Sequence, residues 1–222
     1  MNPRARACHA LLVDFDGVLR AWPADDLHIE PSCGLPAGSI REAAFEPALL
    51  TSVVTGRISD ETWRQELAAA LSLRFPLAQV ATAVERWSSP AGAIDDRVLE
   101  VLAAARERVR LVLVTNATSR LGSDLATLGL GNFFHAVANS SDIGVAKPHP
   151  AMFETALSLA GTSAEHALFV DDSSRNVAEA KRLGIRSCLF QGPASLHAFL
   201  RSNGVLPEPA DNAMPDSCRA KP

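Results

Sequence analysis

The chain predicts an α/β fold, an open parallel sheet with helices on both faces, and three observations carry that reading. From residue 93 onward, short apolar or β-branched runs alternate with segments of helical period, the pattern of strand–helix–strand units. Ala10 to Val13, in "HALLVDFDGVLR", form a buried-type run that ends abruptly in Asp14 and Asp16, as a strand does where it hands over to a functional loop. A chain of 222 residues, 47% of them hydrophobic, suits one core with a small accessory domain.

The elements follow in order. After Leu19, "RAWPADDLHIEPSCGLPAGSI" is rich in Pro, Gly and Asp and reads as loop. Residues 41–87 read as helices. In "SDETWRQELAAAL", Ser59 or Asp60 can cap, acids occupy the first turn, and Trp63, Leu67 and Leu71 repeat at helical spacing. "LAQVATAVERW" reads the same way, and "SSPAG" at 88–92 is a second break. "DDRVLEVLAAARER" is a helix and "VRLVLVT" (109–115) a strand. "RLGSDLATLGL" is a helix, "HAVANS" a short apolar piece, and "PAMFETALSLAG" a helix with Pro150 in its first turn. "HALFVDD" is a strand ending in acids, and "SSRNVAEAKRLG" a helix that Gly184 stops. "IRSCLF" and "SLHAFLRSNG" are the last strand and helix. The expected organisation is a Rossmann-like core from residues 1–19 and 93–205, a helical insertion at 20–92, and a poorly ordered tail at 206–222.

Composition excludes several classes. A net charge of −4 is no nucleic-acid footprint. No stretch reaches the roughly 20 apolar residues of a membrane span, and the N-terminal run is too short for a secretory signal. Cys8, Cys33, Cys188 and Cys218 are scattered without a CxxC pair. They read as free thiols in a reducing, cytoplasmic setting.

Four stretches end or follow predicted strands with chemically useful residues: "DFDGV" (14–18), "TNAT" (115–118), "KPHP" (147–150) and "VDDSSRN" (170–176). In an open α/β sheet the ligand crevice lies beyond the C-terminal strand ends, so Asp14 and Asp16 sit at that functional edge. Singly, each has a plain reading as a turn, a helix cap or a solvated charge. Gly17 comes too early for an EF-hand, and no nucleotide P-loop is present.

In this order and spacing, the four stretches resemble the haloacid dehalogenase (HAD) superfamily across residues 9–205, and the insertion is similar to its small helical C1 cap. "GVAKPHPAMFETAL" and "ALFVDDSSRNVAEAKRLGI" resemble the subgroup of sugar-phosphate phosphatases and the phosphatase domain of soluble epoxide hydrolases. The resemblance implies a Mg²⁺-dependent phosphatase of small phosphorylated metabolites, with no nucleic-acid or membrane partner. Asp14 would attack phosphorus and form an aspartyl-phosphate. Asp16 would protonate the leaving oxygen and then activate water. Asp14, Asp172 and the backbone carbonyl of Asp16 would hold Mg²⁺, with Asp171 either a ligand or placed behind the ligands. Thr115 and Asn116 would donate to the phosphoryl oxygens, and Lys147 would balance charge.

Other residues are weaker candidates. Arg20 departs from the acidic residue many relatives carry, which bears on substrate. His149 stands where relatives often have Asp and reads as a loop contact. Trp63 and Trp87 read as packing, whereas Trp22, beside the nucleophile loop, reads equally as packing or pocket. A phosphomutase shares Asp14, Asp16 and the cap. A dehalogenase uses one Asp and no Mg²⁺, so Asp16 and the acidic pair argue against it. A non-enzymatic binding module would be favoured by loss of Asp14 or Lys147, and both are present.

Overall fold

The computed structural model describes residues 7–22 and 28–207. Five strands form one parallel sheet: β1 (Ala10–Val13), β4 (Arg110–Thr115), β5 (Ala136–Asn139), β6 (Ala167–Asp171) and β7 (Arg186–Leu189), in the order β5-β4-β1-β6-β7. β1 is central, with Leu12 opposite Val112 on one side and Phe169 on the other. The chain first builds outward through β4 to β5, then returns across β1 to build β6 and β7. The strand order therefore reverses at β1, and a crevice opens beyond its C-terminal end.

Side chains alternate along β1, which explains the two packed faces. Leu11 and Val13 join Leu102 of α6 (Asp96–Arg106), Leu125 of α7 (Leu121–Thr127) and Leu196 and Leu200 of α11 (Pro193–Ser202). Ala10 and Leu12 join Met152 and Phe153 of α9 (Pro150–Ala160) and Ala180 of α10 (Ser174–Arg182). A run buried on both faces cannot show polar alternation, which is why β1 reads as continuously apolar.

The helical insertion has a third core of its own. It comprises α1 (Ile29–Ser32), α2 (Ser39–Ala44), α3 (Pro47–Val54), α4 (Asp60–Ser72) and α5 (Leu77–Ser88). Ile40, Val53, Leu67, Leu71 and Val80 are buried together. Trp63 is buried there and meets Trp87 edge-on, with ring centroids 5.8 Å apart. Ser59 is the cap of α4, accepting from the Thr62 N–H. The buried Glu30 carboxylate accepts from the N–H groups of Gly38 and Ile40 and so ties α1 to α2. A two-stranded antiparallel ribbon, β2 (Arg20–Ala21) with β3 (Ala93–Ile94), joins the insertion to the sheet.

The structure departs from the sequence reading in three places. Residues 20–40, read as loop, hold β2, α1 and the start of α2. Elements of two to four residues are too short to show a period. The four-residue helix α8 (Ser140–Ile143) escapes notice for the same reason. Leu206, expected to begin the tail, is buried against the core with Val205; the rest of that expected tail, from residue 208, lies outside the described residues. Cys8, Cys33 and Cys188 are free thiols, and Cys218 lies outside the described residues. Among the described residues, no helix is long and apolar enough to cross a membrane.

Candidate active site

The crevice gathers the motif residues. Asp14 follows β1 directly, its N–H donating to the Val170 carbonyl at 3.0 Å and so keeping it in the sheet's register. Its Oδ1 accepts from the Phe15 N–H at 2.7 Å and pairs with Lys147 Nζ at 2.7 Å. The same ammonium reaches Asp171 Oδ2 at the end of β6 and the Val114 carbonyl at the end of β4, each at 2.7 Å. One buried cation thus ties three strand ends together. Thr115, almost fully buried, ends β4 beside this group.

Lys147 sits on a loop, and Asn116 fixes that loop. The Asn116 amide donates to the Lys147 carbonyl at 3.0 Å and accepts from the Lys147 N–H at 2.7 Å. Sequence reasoning expects Asn116 to donate to phosphoryl oxygens. Both polar ends of its side chain are committed to the Lys147 backbone, so that donor would be its backbone N–H.

Asp14, Asp171 and Asp172 each offer a carboxylate oxygen, and these atoms lie within 4.8 Å of one another. Burial pushes the Asp14 carboxyl up to about 7, and the Asp171 charge adds to that rise, while Lys147 pulls it back. Asp172 is also raised, by burial first and then by Asp171. Three carboxylates share one ammonium, so the group is short of positive charge. Hard oxygen donors at this spacing suit a small divalent cation such as Mg²⁺. Asp171 is already saturated: its oxygens accept from Lys147, Ser173 N and, at 3.0 Å each, the Asn176 amide. Asp172 is exposed and folds over Gly17, where an added Cβ would stand 2.0 Å from its Oδ2. Asn176 was not singled out from sequence. Its signal is its position one helical turn past Asp172, which aims it back at the strand end.

Asp16 does not share this cluster. Two-residue spacing puts Asp14 and Asp16 on one side only if the strand stays extended. Here the Phe15 carbonyl accepts from the N–H groups of Leu19 and Arg20 at 2.9 and 2.8 Å, closing a turn. The Asp16 carboxylate faces away, toward Arg20 and Trp22. His149 caps α9, its Nδ1 accepting from the Ala151 N–H at 3.2 Å, as a loop contact should.

A parallel sheet whose order reverses at β1, with a buried carboxylate–ammonium pair and an acidic group short of positive charge at its edge, defines an open α/β core with a polar crevice beyond its strand ends. The chain belongs to the haloacid dehalogenase-like hydrolase family, whose model matches residues 8–184. A phosphoglycolate phosphatase of Pectobacterium atrosepticum is 38% identical over 93 residues, 41% of this chain and 40% of that protein. The chain therefore matches about two fifths of that relative's length. The haloacid dehalogenase-like hydrolase domain-containing protein 3 of Xenopus laevis is 30% identical over 183 residues, 81% of this chain and 70% of that protein. A HAD family enzyme of Bacteroides thetaiotaomicron, solved with magnesium and inorganic phosphate, shares the fold with a TM-score of 0.67 at 22% identity, covering 82% of this chain and 93% of that one.

Proposed function

We propose that this chain is a Mg²⁺-dependent phosphatase of a small phosphorylated metabolite, working through an aspartyl-phosphate on Asp14. The observation that carries the reading is the Asp14–Lys147–Asp171 cluster with Asp172 beside it at adjacent strand ends. Asp14, Asp172 and the Asp16 carbonyl would hold the cation. When bound, Mg²⁺ supplies positive charge that offsets repulsion between Asp14 and a phosphate dianion. Asp171, saturated by its donors, holds Lys147 and Asn176 in place. The Thr115 hydroxyl and the Asn116 N–H donate to the phosphoryl oxygens. Asp14 attacks phosphorus in line with the leaving oxygen. Asp16 gives that oxygen a proton, then takes one from the water that releases phosphate.

Residues 20–92 act as the cap that selects the substrate, because the core motifs recognise only phosphate and metal. Sugar phosphates follow from the subgroup resemblance, and 2-phosphoglycolate from the Pectobacterium relative. Three free thiols fit a reducing, cytoplasmic setting.

The test is turnover of p-nitrophenyl phosphate, 2-phosphoglycolate and a panel of sugar phosphates, with Mg²⁺ and then with chelator. Activity should vanish in chelator, and Asp14→Asn should lower kcat at least about a thousandfold. In Asp16→Asn, p-nitrophenyl phosphate should leave phosphate on Asp14, seen by intact mass after rapid quench. Full activity in chelator, or in Asp14→Asn, would sink the reading.

A further inference from the structure

Arg20 is one of the buried charged residues among the described residues. Its side chain is only 4% exposed, and a buried guanidinium requires partners for its donors. Two of them form a fork on Asp16, with Nε on Oδ1 at 2.7 Å and Nη2 on Oδ2 at 2.9 Å. Trp22 Nε1 adds a third donor to Asp16 Oδ1, at 2.9 Å. Nη1 turns the other way, to Asp124 Oδ2 at 3.0 Å and the Ala91 carbonyl at 3.4 Å. The Phe15 ring lies 4.3 Å and the Trp22 ring 4.5 Å from the guanidinium carbon.

These contacts reach both connections of the cap. Arg20 itself lies on β2, the outgoing connection. Ala91 lies on the returning one, and Gly92 beside it packs so closely that a Cβ there would stand 2.8 Å from Arg20 Cγ and Cδ. Asp124 also pairs with Arg120 Nε at 2.9 Å. Arg120 in turn donates to the Pro90 carbonyl at 2.7 Å and to the Ser88 carbonyl. Asp124, Ala91 and the Phe15 ring hold Arg20 without the Asp16 carboxylate. The edge it presents to Asp16 is therefore set in advance.

We propose that Arg20 is the positioning residue for Asp16, fixing its carboxylate to the cap linkers on the side from which the leaving group departs. This rests on the assignment of Asp16 as acid and base. In an in-line transfer the leaving oxygen lies across phosphorus from Asp14. A group that serves it cannot sit with Asp14 in the metal cluster, and Asp16 does not. Its side chain is 38% exposed against 10% for Asp14, turned toward the cap side of the crevice. As phosphorus bonds to Asp14 and its bond to the leaving oxygen breaks, Asp16 must meet that oxygen in one orientation. The guanidinium fork supplies the orientation, and a Lys ammonium cannot span both Asp16 oxygens and Asp124.

The experiment compares Arg20→Lys and Trp22→Phe with the parent, measuring kcat and KM for 2-phosphoglycolate and p-nitrophenyl phosphate with Mg²⁺. The alkyl ester needs proton delivery to its leaving oxygen and the aryl ester needs little. Arg20→Lys should lower the alkyl-to-aryl kcat ratio at least about tenfold, with KM for the alkyl ester within about twofold. Trp22→Phe, at a half-exposed site, should lower it about two- to threefold. The ratio cancels any loss of folded protein, since both substrates report the same active fraction. Equal losses on both substrates, or a rise in the ratio, would overturn the proposal; if Arg20→Lys does not fold, the Trp22→Phe ratio decides it. A readout without turnover is the Trp22 indole N–H resonance, identified by its absence in Trp22→Phe. In Arg20→Lys it should move upfield or broaden as Asp16 becomes mobile, and an unchanged resonance counts against the tether. A parent that hydrolyses neither ester would defeat the phosphatase reading, while the indole resonance would still report whether Arg20 holds Asp16.

Discussion

Among single residues, Asp171 and Asp172 show how neighbours in sequence acquire different roles. Both end the same strand, yet Asp171 is fully buried and takes donors from Lys147, Ser173 and Asn176, whereas Asp172 leans out over Gly17. A carboxylate with each oxygen already accepting two hydrogen bonds has little left for a cation; its exposed neighbour is free to ligate. Gly17 makes that arrangement possible in two ways. Its φ of +79° is one that L side chains rarely adopt, and the space its Cβ would fill holds the Asp172 carboxylate. Gly17→Ala should therefore cost about 1–3 kcal/mol of stability from backbone strain. It should also weaken Mg²⁺ binding at least about tenfold, because Asp172 must move. Thermal melts in chelator and a Mg²⁺ titration followed by calorimetry would separate the two effects. Unchanged Mg²⁺ affinity would remove Asp172 from the ligand set.

At the scale of elements, the insertion behaves as a small helical body with its own core. Leu67 is fully buried at the centre of that core, in α4, apart from both clusters that flank the sheet. Leu67→Ala should cost about 2–5 kcal/mol and leave Mg²⁺ affinity of the folded protein within about twofold; denaturant melts and a Mg²⁺ titration below the transition check both. A large drop in affinity would mean that the cap core and the metal cluster are coupled. The same scale shows what the sequence made legible. Helices such as α4 and α10 announce themselves through period and caps, and β1 and β6 through apolar runs stopped by acids. Three of the chemical motifs were legible because each sits at a strand end, where backbone topology brings it to the crevice, whereas the Lys147 motif lies on the loop between α8 and α9. What stayed hidden depends on distant partners. The pairing of Arg20 with Ile94 and with Asp124 spans more than seventy residues, and no local period encodes it. The place of Asn116 after β4 gave no sign that its side chain is held by the backbone of Lys147, thirty-one residues on. The two-residue spacing left open whether Asp16 stays beside Asp14 or bends away, and the turn at Phe15 turns it to the linkers.

For the whole molecule, the active-site charges set how stability responds to pH and metal. Without a cation, burial and the Asp171 charge raise the Asp14 carboxyl to about 7, despite Lys147. In the unfolded chain the same carboxyl titrates near 3.9. Between those values the native state holds a proton that the unfolded state has lost, so stability falls as pH rises from about 4 to about 7. Asp172, also raised, acts in the same direction. This is opposite to a salt-bridged carboxylate with a depressed value, which gains stability over its own window. Under the proposed function, Mg²⁺ would bind the ionised carboxylates and compete with the proton. Its stabilisation should therefore be small at pH 5 and grow as pH rises to 8. Melting curves at each pH, once with chelator and once with Mg²⁺, test this, because the difference between the paired curves cancels histidines and other groups that titrate away from the site. The chelated midpoint should fall from pH 5 to pH 8, and the Mg²⁺ shift should widen over the same interval. An equal Mg²⁺ shift at both ends would show that the cation binds without displacing a proton, and the raised carboxyls of Asp14 and Asp172 would then lie outside its site.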